Sequence, residues 1–374
     1  MRKRLVVFLV ALLCLPLVLV SPSYGDFIAD SWVTRTSMPT NSYGGRAVGI
    51  DGRIYVIGRF YSANNVYDPS TDNWTERTPI PNSISSNSVV YQNIVAYQNK
   101  IYFIGANNTE VYDPSTDSWE AKTPMPISIS GLANLVDGKI YVISGYDYPN
   151  ANQLMGINEV YNIENDSWTT RASIPYPVSA YASTVCENNI YILGGQDPAL
   201  GNSMNVNFTQ VYNPLNDSWS IGAPMPTKVL GATACATTGI MATKAVYLFG
   251  GYVDADLPNT TASNLTQIYN PENKSWSYGA PMLSPRVEFA VANVNDSLYV
   301  LGGSNLGLGA PYVLSNEQYY PIGYGIIQPA PTPTVPEFSL WSILLPLSLI
   351  ATAAGLLVYH KKHKHNLVKK NLDE

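Results

Sequence analysis

The sequence predicts an all-β ring of six four-stranded blades, and three observations carry that prediction. A ten-residue stretch recurs as "NVYDPSTDNW" (65–74), "EVYDPSTDSW" (110–119), "EVYNIENDSW" (159–168), "QVYNPLNDSW" (210–219) and "QIYNPENKSW" (267–276), each with Tyr seven positions before Trp. A short apolar strand closing on Gly recurs six times, from "RIYVIGR" (53–59) through "KIYFIGA" (100–106), "KIYVISG" (139–145), "NIYILGG" (189–195) and "AVYLFGG" (245–251) to "SLYVLGG" (297–303). Successive Trp residues from Trp32 to Trp276 are spaced 42, 45, 49, 51 and 57 apart. A period near 50 with four short strands per repeat is the signature of a propeller.

Each element follows from local chemistry. The Gly-terminated strands are continuous apolar runs, which suit sheets covered on both faces. Their Ile, Val and Tyr fit a pleated surface. The Gly ending lets the chain turn sharply or pass close to a neighbour. "YDPSTDSW" has a Pro/Ser/Thr/Asp turn between two strands and predicts a hairpin. Its Tyr and Trp are expected to fill the outward-widening wedge between blades, which needs large rings. The last repeat, "NEQYYPI" (316–322), lacks a following Trp strand, whereas the first strand predicted in the chain is "ADSWVTR". The N-terminal strand is therefore expected to complete blade 6 and close the ring.

These elements resemble the kelch repeat: a Gly doublet after an apolar strand, then Tyr and Trp at fixed separation, over residues 30–322. Gly58-Arg59, Gly105-Ala106 and Ser144-Gly145 depart from the Gly pair, which leaves their local turn shape open.

The flanks read differently. Residues 1–25 have a basic start, an apolar stretch and the small residues "SPSYG", a signal peptide pattern; a retained anchor is the alternative. The propeller is assigned to 26–325 and a Pro-rich linker to 326–337. Residues 338–359 carry no charge and have the length of a membrane-spanning helix, and the basic stretch after them predicts a cytoplasmic tail at 360–374. The expected location is the cell membrane, single-pass, with the N-terminal domain extracellular. Pro336-Glu337-Phe338 before the span resembles the PEF-type sorting tails of archaeal surface proteins.

Charge excludes one class of partner. Of 21 Lys+Arg, three lie in 1–25 and five in the tail, leaving 13; of 27 Asp+Glu, two lie in the tail, leaving 25. The segment 26–337 is thus near −12 (13 minus 25) and repels nucleic acid. Nine N-x-S/T sites in this segment are glycosylation candidates: Asn73, Asn107, Asn165, Asn207, Asn216, Asn259, Asn264, Asn273 and Asn295. Cys186 and Cys235 each fall nine positions after a Pro (177 and 226), which sets them at equivalent places in adjacent repeats. Two buried free thiols are expected over a disulfide.

Catalysis needs proton-transfer groups, a nucleophile or metal ligands. All three His (360, 363, 365) lie in the tail, so the copper site that the galactose-oxidase-like kelch resemblance implies lacks its ligands. No catalytic residue, metal or cofactor is assigned. Acids remain in the loops after the Gly pairs, at Asp147, Asp197, Asp254 and Asp256, with Glu288 just after a Pro turn, beside Arg286; a pair of them could hold Ca²⁺ or act on a sugar. Those loops are short in blade 2 and long in blades 3 to 6, and long loops on a rigid scaffold are where binding concentrates. The candidate ligand-binding residues are Tyr146, Asp147, Tyr148, Gln196, Asp197, Tyr252, Asp254, Arg286 and Glu288, and Tyr312 adds aromatic area. The expected function is non-catalytic binding of an extracellular protein or glycan. The alternatives are a carbohydrate-active kelch enzyme resembling a sialic-acid epimerase, and a structural envelope component.

Overall fold

The computed structural model describes residues 28–40, 45–58, 63–81, 93–105, 108–147, 153–200, 205–253, 261–305 and 312–325. The expected signal peptide, linker and membrane span, with Asn107, Tyr148, Asp254, Asp256 and Asn259, lie outside them. No helix among the described residues is long and apolar enough to cross a membrane.

Six four-stranded antiparallel sheets are arranged as blades. Blade 1 comprises Arg46–Ile50, Arg53–Ile57, Asn64–Asp68 and Asn73–Glu76. Blade 2 comprises Asn93–Tyr97, Lys100–Ile104, Thr109–Asp113 and Ser118–Lys122. Blade 3 comprises Leu132–Val136, Lys139–Tyr146, Leu154–Asn162 and Ser167–Arg171. Blade 4 comprises Ala182–Cys186, Asn189–Leu193, Thr209–Asn213 and Ser218–Ile221. Blade 5 comprises Thr233–Ala236, Val246–Phe249, Thr266–Asn270 and Ser275–Gly279. Blade 6 takes Ala290–Val294, Ser297–Leu301 and Asn316–Tyr320 from the end of the propeller and Ser31–Arg35 from its start; Trp32 sits opposite Tyr319. The ring closes through the N-terminal strand, as the incomplete last repeat requires.

The second strands are buried almost throughout, for instance Ile54, Val56, Ile140 and Val300. Apolar side chains between successive blades form six clusters, one per interface. The recurring hairpin places its Tyr opposite its Trp, with ring centroids 4.8 to 5.2 Å apart in every blade. Each indole N–H then reaches back to a carbonyl on the segment leaving the preceding blade: Trp32 to Ala280, Trp74 to Thr36, Trp119 to Thr78, Trp168 to Thr123, Trp219 to Ala172 and Trp276 to Ala223. An apolar ring with one polar handle both fills the wedge and satisfies a seam carbonyl.

Sequence reasoning missed the Asp that precedes Trp by two. Tyr67, Tyr112, Tyr161, Tyr212 and Tyr319 donate their hydroxyls to Asp72, Asp117, Asp166, Asp217 and Asp30 at 2.5–2.6 Å. The same carboxylates accept the backbone N–H of Thr36, Thr78, Thr123, Ala172 and Ala280, the residues whose carbonyls hold the Trp. These acids adopt φ near +50° at the end of the hairpin turn, where Asp is tolerated better than most residues. Blade 5 has Lys274 at this position, with φ 56°.

At the departures from the Gly pair, blade 3 keeps the turn by other means. Ser144 holds φ 57°, close to the 59–66° of Gly194, Gly250 and Gly302. Its hydroxyl donates to the Val178 carbonyl in blade 4 and accepts the Val178 N–H.

Both cysteines are free, but not by equivalence. Ile190 opposite Tyr212 and Val246 opposite Tyr269 align Cys235 with Thr184. Pro226 thus matches Pro175, not Pro177. Cys186 packs between blades 4 and 5, where burial pushes its thiol up to about 11. Cys235 is half-buried rather than buried, between blades 5 and 6.

Candidate functional site

Two kinds of connection emerge on what is here termed the upper face of the ring: the loop from the second to the third strand, and the segment entering the next blade after its Pro turn. In blades 3 to 6 these pair with each other. Ile129 bridges Asp147 in blade 3, while Tyr146 pairs with Leu154 across its own loop. Ser179 bridges Gln196, which bridges Asn205, in blade 4. Val229–Leu230 pairs with Tyr252–Val253 and that pair with Thr261–Ala262 in blade 5. Val287 bridges Ser304, which bridges Tyr312, in blade 6. Backbone hydrogen bonds at 2.8–3.1 Å, such as Ser130 N–H to Tyr146 O and Ser263 N–H to Gly251 O, tie these layers down. The second-to-third-strand connections of blades 1 and 2 close directly instead, Gly58 N–H to Ala63 O and Gly105 N–H to Asn108 O. Among the described residues, the rim is therefore built up on blades 3 to 6.

Inside the rim, all six blades line one cavity of about 330 Å³ at the channel mouth. Among the described lining residues the charged ones are Arg46 and Glu288, the aromatics Tyr181 and Tyr252, and Asn93, Ser130, Ser183, Gln196 and Thr233 add polar groups. Tyr181 bridges two blades: its hydroxyl accepts the Leu132 N–H and donates to the Ile143 carbonyl. Burial raises that hydroxyl well above the usual phenol range.

The sequence candidates divide. Gln196, Tyr252 and Glu288 meet in the cavity. Tyr146 and Asp147 lie in the rim ladder of blade 3, half-buried. Asp197 accepts the Ala199 N–H and caps the turn Pro198–Leu200, a local structural task. Tyr312 stands on the blade 6 rim, 41% exposed. Arg286 is a correction: it is fully buried, paired with Glu317, and its guanidinium also donates to Ser284, Ser315 and the Gly302 carbonyl. Burial lowers its pKa and the Glu317 carboxylate opposes that. It braces blade 6 and cannot meet a ligand. Arg46, Asn93, Ser130 and Tyr181 were missed. Their signal was available only by aligning the innermost strands of all repeats, the most divergent segments of each period. Among the described residues, no group of three or more His, Cys, Asp or Glu is placed to hold a metal.

A six-bladed ring closed by its N-terminal strand, with a Tyr–Trp pair in each blade and a Gly pair in blades 4 to 6, is a kelch-repeat propeller. The chain belongs to the DUF6242 beta propeller domain family, whose profile matches residues 30–220; the Kelch motif profile matches residues 243–283. It is 32% identical over 101 residues to human Kelch repeat and BTB domain-containing protein 12, covering 26% of this chain and 15% of that one. It is 29% identical over 96 residues to Kelch-like ECH-associated protein 1A of Danio rerio, covering 26% of this chain and 15% of the relative. The chain thus spans about a sixth of the length of these two curated relatives. The solved structure titled "Structure of YjhT" superposes with a TM-score of 0.63 at 14% identity, over 75% of this chain and 95% of that one. At that identity the likeness concerns the fold.

Proposed function

We propose that this propeller is a non-catalytic binding module, anchored at the cell surface, that captures an extracellular protein or glycan on the rim of blades 3 to 6. One observation carries the reading: in each of those four blades the entering segment pairs with the first arm of the long loop, and that arm pairs with the second. Loops held this way present side chains without a large ordering cost on binding, which is what a recognition surface requires. Tyr146, Tyr252 and Tyr312 supply aromatic area, and aromatic anchors dominate many interfaces. The described ends of the propeller, near Asp30 and Gly325, lie at the face opposite the rim. Association in the name of the ECH-associated relative fits the same class of function. The carbohydrate-active alternative, an enzyme resembling a sialic-acid epimerase, draws on Glu288, the single acid among the described lining residues.

The test is to replace residues 148–152 by two glycines and to measure melting temperature together with capture of ligands from a glycan array and a surface-protein panel. Capture is expected to fall while melting temperature holds, because the blade strands are untouched. Unchanged capture with unchanged stability would move the site off the rim.

A further inference from the structure

Six repeats provide an internal reference: a residue needed for packing recurs, and one that occurs once serves something else. At the inner strand, Arg46, Asn93, Leu132, Ala182, Thr233 and Ala290 occupy the same place, opposite Ile57, Ile104, Ile143, Leu193, Phe249 and Leu301. One blade in six puts a cation there. Two residues earlier, the described blades have Ser130, Ala180, Gly231 and Glu288. Ala180, Gly231 and Glu288 share the left-handed conformation, with φ 50°, 66° and 51°. That region favours glycine, as blade 5 has, and a carboxylate-bearing residue there is strained. Packing does not call for it, since Ala and Gly serve at this place in blades 4 and 5.

We propose that the channel-mouth cavity is a binding site for a small dipolar ligand of dipeptide size, with an anionic group on Arg46 and an ammonium on Glu288. Both charged residues line the same cavity of about 330 Å³, a volume within the usual range for small-molecule sites. Inside it a lone anion meets Arg46 but is repelled by Glu288, and a lone cation meets the reverse. A ligand carrying both groups meets an opposite charge at each end. Asn93, Ser130, Ser183, Gln196 and Thr233 offer hydrogen-bonding groups along the walls, and the Tyr181 and Tyr252 rings bound the apolar part. The segment 26–337, near −12 (13 minus 25 charged residues), disfavours net anions at long range, and a net-neutral dipole escapes that penalty. This site is distinct from macromolecule capture on the rim.

Isothermal titration of the full-length protein with glycylglycine, N-acetylglycylglycine and glycylglycinamide tests it. Glycylglycine is expected to bind ~10-fold or more tighter than either capped analogue, the equivalent of ~1.4 kcal/mol. Glu288→Gln and Glu288→Gly, the latter matching blade 5, should abolish the preference over the acetylated probe. Arg46→Gln should abolish the preference over the amide. Melting temperatures measured alongside show that each variant is folded. Equal affinity for the three probes, no heat from glycylglycine up to about 10 mM, or ratios unchanged in folded variants would each overturn the proposal. The loop-shortened protein separates the two readings, since dipeptide binding should survive in it when rim capture is lost.

Discussion

At the residue scale, the seam between blades is set by three side chains acting on one backbone unit. In blade 2, Trp119 donates to the Thr78 carbonyl, and Asp117 accepts both the Thr78 N–H and the Tyr112 hydroxyl. Replacing Tyr112 by Phe removes one neutral–charged hydrogen bond and should cost roughly 1–2 kcal/mol in thermal or urea denaturation. The blade 5 seam offers the reciprocal change. Lys274→Asp puts a carboxylate at a φ of 56° that Asp accepts, within reach of Ala223 and Tyr269 by analogy with the other five blades. It should raise stability by up to ~1 kcal/mol, and a fall in melting temperature would show that the seam tolerates no acid there. The pH dependence has a definite sign. Tyr hydroxyls hold Asp117, Asp166 and Asp217 below the ordinary carboxylate value, with the seam N–H groups adding to this. A depressed folded pKa contributes stability that is present above the unfolded value of about 4 and is lost as pH falls through the folded value. Melting temperature should therefore be level above about pH 5 and decline below about pH 4. The decline should be shallower when Tyr112, Tyr161 and Tyr212 are all Phe.

At the scale of the element, the strand Ser31–Arg35 determines whether the ring is closed. It covers the edge of Asn316–Tyr320, puts the Trp32 ring 4.8 Å from Tyr319, and supplies Asp30 to both Tyr319 and Ala280. Arg35 adds hydrogen bonds to Gln318 and Tyr320. Deleting residues 26–36 removes the half-buried Trp32 ring from the cluster between blades 5 and 6 and exposes an unpaired strand edge. The expected result is a large drop in melting temperature with concentration-dependent association. A truncated protein that melts with the intact one would refute the closure argument.

At the scale of the whole molecule, the two faces differ in kind. The lower face carries the two-residue turns and the outer hairpin turns; the upper face carries the paired loops and the cavity. The candidate glycosylation sites divide accordingly. Asn73, Asn165, Asn216, Asn273 and Asn295 are exposed on lower-face turns. Asn207 and Asn264, on the upper face, are half-buried and donate their amides to the Met225 and Met282 carbonyls. An amide nitrogen engaged in that way is poorly placed for attachment of a sugar. In a host that glycosylates exported chains, peptide mapping should find glycans at Asn216 and Asn273 and none at Asn207 or Asn264. Equal occupancy on both faces would contradict this division and would leave the rim shielded.

How much was legible in the sequence depended on what repeats. The apolar strand ending in Gly and the Tyr…Trp hairpin recur because the wedge between blades is the same problem solved six times, so blade number, strand order and ring closure could be read from one chain. Trp32 in "ADSW" and the Trp-less "NEQYYPI" were enough to predict which strand completes blade 6. Proximity between the first and last blades was not legible. Arg46 and Glu288 lie far apart in sequence, on the first and last blades, and nothing local marks either as facing a cavity. Arg286 and Glu288, two residues apart, look alike in the sequence, yet one is buried against Glu317 and the other lines the channel mouth. Residues two apart share a face in an extended segment, but Glu288 takes φ 51° and breaks that pattern, and which environment is interior is set by blades that the segment itself does not contain. The sequence by itself determined the repeat and therefore the ring; only the tertiary structure decided which of its unrepeated residues converge, because convergence on the axis is a property of the closed ring and of no single blade.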